Sequence, residues 1–299
     1  MKIIKKMMMI ALLIGSGFSS FSWAALMNLG IDFKNADRYT FAVGNNGSLL
    51  LGSEANVYGH VAAEFFVQLA SGAQVHGDAC ANNPVSIGAL ASVTGHMGNG
   101  GMCTDIAGLT SSILSINSVA ANLSGVNLSD INNSQTLFAA DSSVYEINNL
   151  NLDTGEVLTI SGGVNDAVVV NIAGDASIGS GAGIILEGGI QANNVLFNLL
   201  DTNAVSNFEF GGAEINGTFL ANNRSFQLGD GAKLENVRFY TNASMQANVQ
   251  VVNSPPHITV HEPTTILMFL FTLIVLLFRS IANKISGLSR QQDDFSYKT

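Results

Sequence analysis

Between Tyr39 and Asn223 the chain has neither a lysine nor an arginine. Acids such as Glu54, Asp78, Asp105 and Glu187 are scattered over the same stretch, and the formal net charge of the whole chain is −10. A surface of that sign repels phosphate backbones, which excludes nucleic acid as a partner. It also lacks the cationic groups that grip uronates and phosphorylated substrates, which argues against a polysaccharide-processing enzyme on a β-helix. Enzyme motifs are missing too: there is no nucleophile elbow, no His-Glu-x-x-His, no phosphate-cradling loop and no carboxylate pair that stands out. No Thr-x-Thr occurs, the kind of ladder that a flat ice-binding face usually carries, and no Gly-Gly-x-Gly-x-Asp calcium repeat. Low charge by itself would suit a disordered chain, but Val, Ile, Leu and Phe are frequent and regularly placed, so a packed fold is expected.

Only two cysteines are present, Cys80 and Cys103. In an exported protein such a pair reads as a disulfide, with free or metal-bound thiols as the alternative. Export itself follows from the N-terminus. Lys2, Lys5 and Lys6 precede the apolar run Met7 to Ile14, and Ser22-Trp23-Ala24 supplies small residues before a cleavage point. Residues 1–24 therefore read as a secretory signal peptide, with an uncleaved N-terminal anchor as the alternative, and are left out of fold reasoning.

What is present is a repeat. Ala-x-Val-x-Gly followed by His or Asp occurs at Ala55/Val57/Gly59/His60, Ala73/Val75/Gly77/Asp78 and Ala91/Val93/Gly95/His96, 18 residues apart each time. A fixed period near 20, with alternating inward residues and a glycine at the corner, is the mark of stacked coils. The same grammar returns less regularly at Ala213/Ile215/Gly217, Ala232/Leu234/Asn236 and Ala243/Met245/Ala247. Between the two sets, Ile106, Leu109, Ile113, Ile116, Ala120 and Leu123 are spaced three or four apart. That spacing predicts a helix over about 105–126 with Asp105 as N-cap, lying along the solenoid. Residues 156–163 and 167–174 read as strands, the second buried on both faces.

Asn194-Val195-Leu196-Phe197-Asn198, Gly217-Thr218-Phe219-Leu220-Ala221 and the closing run Gly229 to Phe239 resemble the choice-of-anchor A family of bacterial secreted proteins. A similar Gly-Thr-x-Leu-Ala step, with a helix along the coil, is found in bacterial ice-binding β-solenoids. The resemblance implies an all-β dominated fold over 25–255: a β-solenoid with one helix alongside, carried to the cell surface by an interchangeable anchor.

The anchor would be residues 256–299. Val260, His261, Glu262, Pro263 and Thr264 precede an apolar run, Ile266 to Phe278, and then Arg279. This resembles a PEP-CTERM sorting signal, which implies recognition by an exosortase-type membrane protease near Glu262-Pro263. Pro263 keeps the preceding residues out of the helix, and Arg279, Lys284 and Arg290 hold the tail on the cytoplasmic side. A transmembrane helix over about 264–282 that is never cut is the alternative, a buried core helix a further one.

Two sets of side chains are candidates for ion binding. His60, Asp78 and His96 stack in the repeat, either as a divalent-metal site or as a solvated polar ladder at the corner. Asp166, Asp175, Asp201 and Glu187 offer oxygen ligands to Ca²⁺. No cofactor is otherwise expected. The functional expectation is a non-enzymatic surface or extracellular-matrix protein of a Gram-negative bacterium, transiently held at the inner membrane. Its partners would be extracellular polysaccharide or further copies of itself, in biofilm or cell aggregation. The alternatives are an ice-binding protein on a similar solenoid and the polysaccharide-processing enzyme.

Overall fold

Strands as short as two or three residues build this fold, because a three-residue strand turns one or two apolar side chains inward and then gives way to a corner. The structure, a computed structural model, describes residues 25–99, 103–140, 143–200, 208–210, 214–229 and 233–253. The chain divides into two units, Met1–Pro256 and His257–Thr299. All described residues belong to the first, so the signal peptide and the sorting motif lie outside them. Among the described residues no helix is long and apolar enough to cross a membrane.

The first unit is a three-walled parallel β-solenoid with a helix along one wall. The helix-facing wall includes Val144–Ile147, Val168–Ile172, Val195–Leu199, Tyr39–Val43, His60–Ala63 and Ala79–Ala81, completed by the C-terminal halves of Glu214–Ala221 and Lys233–Thr241. A second wall contains Gln135–Phe138, Val157–Ser161, Gly183–Glu187, Gln250–Asn253, Asn56–Tyr58, Gln74–His76 and Ser92–Val93. These two walls merge into one sheet because Glu214–Ala221 and Lys233–Thr241 run through the corner between them. The third wall has eight strands, from Leu150–Leu152 at one end to Ser86–Ile87 at the other.

Coils do not stack in chain order. Phe41 is in register with Phe239, Leu49 with Met245, and Asn56 with Gln250, so the first coil lies directly on the last. From there the N-terminal coils build outward to residues 82–98. The chain then returns along the helix-facing wall and builds from residues 126–138 back to the middle.

The interior follows the repeat. Inward-facing Phe197, Phe219 and Phe239 stack in register near the middle, with centroids 4.7 and 5.0 Å apart and nearly parallel planes. The same column continues through Phe41 and Val61 to Ala79. The cross-section thus narrows toward that end, where small residues fit. Glycine at the repeated corner is required by close approach: a Cβ on Gly77 would collide with the Gly59 backbone, and one on Gly95 with that of Gly77.

The helix spans Leu109–Ala121 after a 3₁₀ turn at Ile106–Gly108, shorter than the 105–126 expected, and Val126–Asn127 is already a strand. Leu109, Ile113, Ile116 and Ala120 are buried against Ala42, Val169, Leu196, Leu220 and Tyr240 on the outside of the wall. This second layer is why Val168–Ile172 is buried on both faces. Asp105 makes no side-chain cap; it pairs with Arg38 at 3.2 Å. The helix N-terminus is instead met by a carboxylate from the solenoid. Glu64, 9% exposed, accepts from the Thr110 backbone N–H at 2.9 Å, the Thr110 hydroxyl at 2.7 Å and the Asn46 N–H at 3.2 Å. A negative charge there satisfies orphan donors and complements the helix dipole. Glu64→Ala is expected to cost about 2 kcal/mol in urea unfolding, with Glu64→Gln intermediate. Equal stability of all three proteins would show that the contact does not anchor the helix.

Further along, Asn117 donates to Asn198, Asn198 to Asn171, and Asn171 to the Ala120 carbonyl, all at 2.8–2.9 Å. Two arginines beyond the cation-free stretch are also used internally. Arg224 donates to the carbonyls of Gly174, Ala173 and Leu200, and Arg238 pairs with Asp37 at 2.6 Å. Burial pushes the Tyr39 hydroxyl up to about 12 and that of Tyr240 well above its ordinary value. Both therefore stay neutral, and Tyr240 donates to the Tyr39 carbonyl at 3.1 Å.

Candidate binding surface

With one wall under the helix, the other two present their outer faces to solvent. On the third wall Leu49–Leu51, Val67–Leu69, Ala176–Ile178, Phe226–Leu228 and Met245–Ala247 each have the pattern buried, exposed, buried, so each projects one side chain outward. The register links Asn151 to Ser177, Gln227 to Gln246, Gln246 to Leu50, Leu50 to Gln68 and Gln68 to Ser86. Strand spacing fixes their separation at about 4.8 Å. The row crosses the junction of first and last coils without a break. Beside it lies a shallow recess of about 570 Å³, lined by Leu50, Ser53, Glu54, Gln68, Gln246 and Asn248.

The second wall is richer in shape. Asn56, Gln74 and Ser92 form one column and Tyr58 and His76 start another. Tyr58 and His76 stack with ring centroids 4.2 Å apart. Thr136 is in register with Thr159.

The corner residues His60, Asp78 and His96 are brought together as a hydrogen-bonded ladder. The Asp78 backbone N–H donates to His60 Nδ1 at 3.0 Å, and the His96 N–H donates to Asp78 Oδ1 at 2.8 Å. The His60 and Asp78 side chains each satisfy the next coil's backbone, which is a structural use of these groups. Among the described residues no three His, Cys, Asp or Glu side chains gather as a metal site. Asp166 bonds the Gly163 N–H at 2.7 Å within its own turn, and Asp201 lies outside the described residues. Cys80 and Cys103 form a disulfide, buried beneath the helix entry, with Cα atoms 5.4 Å apart.

Except at Met245/Ala247, the third wall was not picked out from the sequence. Its signal was there: apolar-x-apolar at Leu49/Leu51, Val67/Leu69, Phe226/Leu228 and Met245/Ala247.

No family model matches this chain, and no curated protein matches it significantly. Solved structures do. An ice-binding protein from the Antarctic ascomycete Antarctomyces psychrotrophicus is 18% identical with a TM-score of 0.52, over 75% of this chain and 99% of that one. An ice-binding protein from an Arctic yeast is 17% identical at 0.53, over 76% and 95%. A third, from an Antarctic bacterium of the Flavobacteriaceae, is 19% identical at 0.53, over 72% of this chain and 45% of that one. The likeness is one of fold.

Proposed function

We propose that this is an exported, non-enzymatic protein that adsorbs through a flat outer wall to an extended, repetitive surface, and that ice is that surface. The observation that carries the reading is the third wall's outward row, one side chain per coil in continuous register. A rigid row at a fixed pitch holds many weak contacts, direct or through ordered water, at no further cost in backbone entropy. The fold likeness to ice-binding proteins supports ice in particular.

Thermal hysteresis and ice-recrystallisation assays on the exported protein test it. Wild type should shape and slow ice growth, and Gln68→Lys with Gln246→Lys should abolish the effect without changing the melting temperature. Normal ice growth in the presence of folded wild type would sink the ice reading.

A second reading rests on the chemistry of that row. Gln227, Gln246 and Gln68 offer amide donors and acceptors rather than threonine methyl and hydroxyl groups, which suits a hydroxyl-rich polymer. On that reading the protein belongs to the extracellular polysaccharide matrix, as the resemblance to choice-of-anchor A proteins implies. Co-sedimentation with the host's exopolysaccharide, lost in the same double variant, is its expected result. On either reading residues 256–299 serve as a sorting signal, cut near Glu262-Pro263 by an exosortase-type protease after transient tethering at the inner membrane. Mass spectrometry of the mature C-terminus should find the tail after Arg279 removed; an intact tail would mean a permanent anchor.

A further inference from the structure

We propose that the end of the solenoid formed by residues 82–98 is an interface that docks against the same end of a second copy of this chain. The two ends of the solenoid differ. Where the coils finish at residues 126–138, inward-facing Ile131 and Leu137 are buried, at 0% and 3% exposure. At the other end the core is left open. Val67, Ala73 and Val75 are buried one coil inside, but their repeat equivalents Val85, Ala91 and Val93 are only partly covered. Around them Ile87, Leu90 and Met97 are 41%, 90% and 48% exposed. Among the described residues Ser86–Ile87, Ser92–Val93 and Met97–Gly98 each pair on one side only, as Val126–Asn127 and Gln135–Phe138 do at the other end, so three strand edges face outward beside the open core. Solenoids ordinarily protect such an end with a polar cap, because open edges and an open core recruit other chains.

Leu90 adds an independent sign. It sits at a corner shared with Glu54 and Gly72, 18 residues apart, and all three have positive φ: +61° at Glu54, +74° at Gly72 and +61° at Leu90. That conformation favours glycine and is strained for a leucine. A large apolar side chain is thus held in a costly backbone state and aimed into solvent. Strain kept at an exposed position points to an interaction made there.

Electrostatics chooses the occupant. From Ala79 to Asn99 there is no Asp, Glu, Lys or Arg, in a chain whose net charge is −10. The opposite end also exposes apolar side chains, Val126 at 43% and Phe138 at 47%, but it carries the exposed carboxylate of Asp130 among them, and Ile131 and Leu137 are covered there. Two copies meeting through residues 82–98 bring no like charges together, and each supplies the apolar surface the other needs. A same-end contact is isologous, so it closes as a two-fold dimer with the edge strands antiparallel, and it does not propagate into fibres.

The test uses the full chain exported into an oxidising compartment, carrying either Leu90→Cys or, at the opposite end, Val126→Cys. A disulfide-linked dimer should form with Leu90→Cys and not with Val126→Cys. In parallel, sedimentation of mature wild type should show a dimer whose dissociation constant rises at least tenfold in Leu90→Lys. A monomeric wild type, or a Leu90→Cys protein that forms no cross-link while Cys80–Cys103 stays intact, overturns the proposal. So does cross-linking of Leu90→Cys only to a co-expressed Val126→Cys copy, since that would be head-to-tail stacking. None of these outcomes depends on what the third wall binds.

Discussion

Phe219→Ala is expected to lower the stability of the solenoid by about 3–5 kcal/mol, one of the two largest effects a small change to this chain should have. The Phe219 ring is fully buried between Phe197 and Phe239, and its strand is locked by parallel ladders to both neighbours. Those ladders hold the flanking rings in register, so the walls cannot collapse into the space the ring leaves. A cavity therefore remains, which puts the cost at the upper part of the range for a deleted aromatic. Loss of two stacked aromatic contacts adds to it. The same column at the narrow end behaves differently: Val61→Ala removes less volume and should cost about 1–2 kcal/mol. Guanidinium denaturation of the three proteins checks both figures. A Phe219→Ala midpoint close to wild type would mean that the coils are not held in the register described.

Opening the Cys80–Cys103 bridge is the second. The bond closes a loop of 23 residues of sequence separation, worth roughly 3 kcal/mol in the chain-entropy account. For a domain of this size that is a fall in melting temperature on the order of 6–12 °C. Its location gives the effect a shape as well as a size. The loop contains the terminal coil 82–98, and Cys103 lies just before the turn that leads into the helix. Reduction, or Cys80→Ala with Cys103→Ala, should therefore loosen that coil first. Amide exchange at Ser92 and Thr94 should accelerate well before exchange at Phe197 or Phe219. Uniform acceleration across all coils would show that the bond supports the whole solenoid rather than its end.

Much of this architecture was legible because a solenoid repeats its instructions. Ala-x-Val-x-Gly at an 18-residue interval located the coil, the inward face and the corner. The three-and-four spacing from Ile106 to Ala120 located the helix and its buried side. The run Val168–Ile172, apolar but for Asn171, announced a strand covered on both faces. Coil order was not legible, since periodicity describes one coil and is silent about which coil lies beside it. Nothing local in Phe41 or Phe239 says that they touch. The helix cap was hidden for a related reason. A capping residue is sought next to its helix, and Glu64 reaches Thr110 from 46 residues earlier. For the candidate surface, the corner ladder was visible as a column of His60, Asp78 and His96. Its partners were not, because they are backbone N–H groups that nearly every residue possesses.

The contact between first and last coils bears on how the protein is made. On the exported reading proposed above, the chain is threaded through a secretion channel from its N-terminus, so Tyr39–Val43 is delivered early. One of its two neighbouring strands, Lys233–Thr241, arrives far later; the Tyr240 hydroxyl bonds a carbonyl 201 positions before it. Until then the early coils have an unfinished flank and the returning coils have nowhere to dock. Completion must wait for almost the whole unit to clear the channel, and contacts of such long range make that last step slow. The protein therefore needs protection during delivery, from a chaperone or from low crowding at the exit, to a degree that a solenoid built in chain order would not.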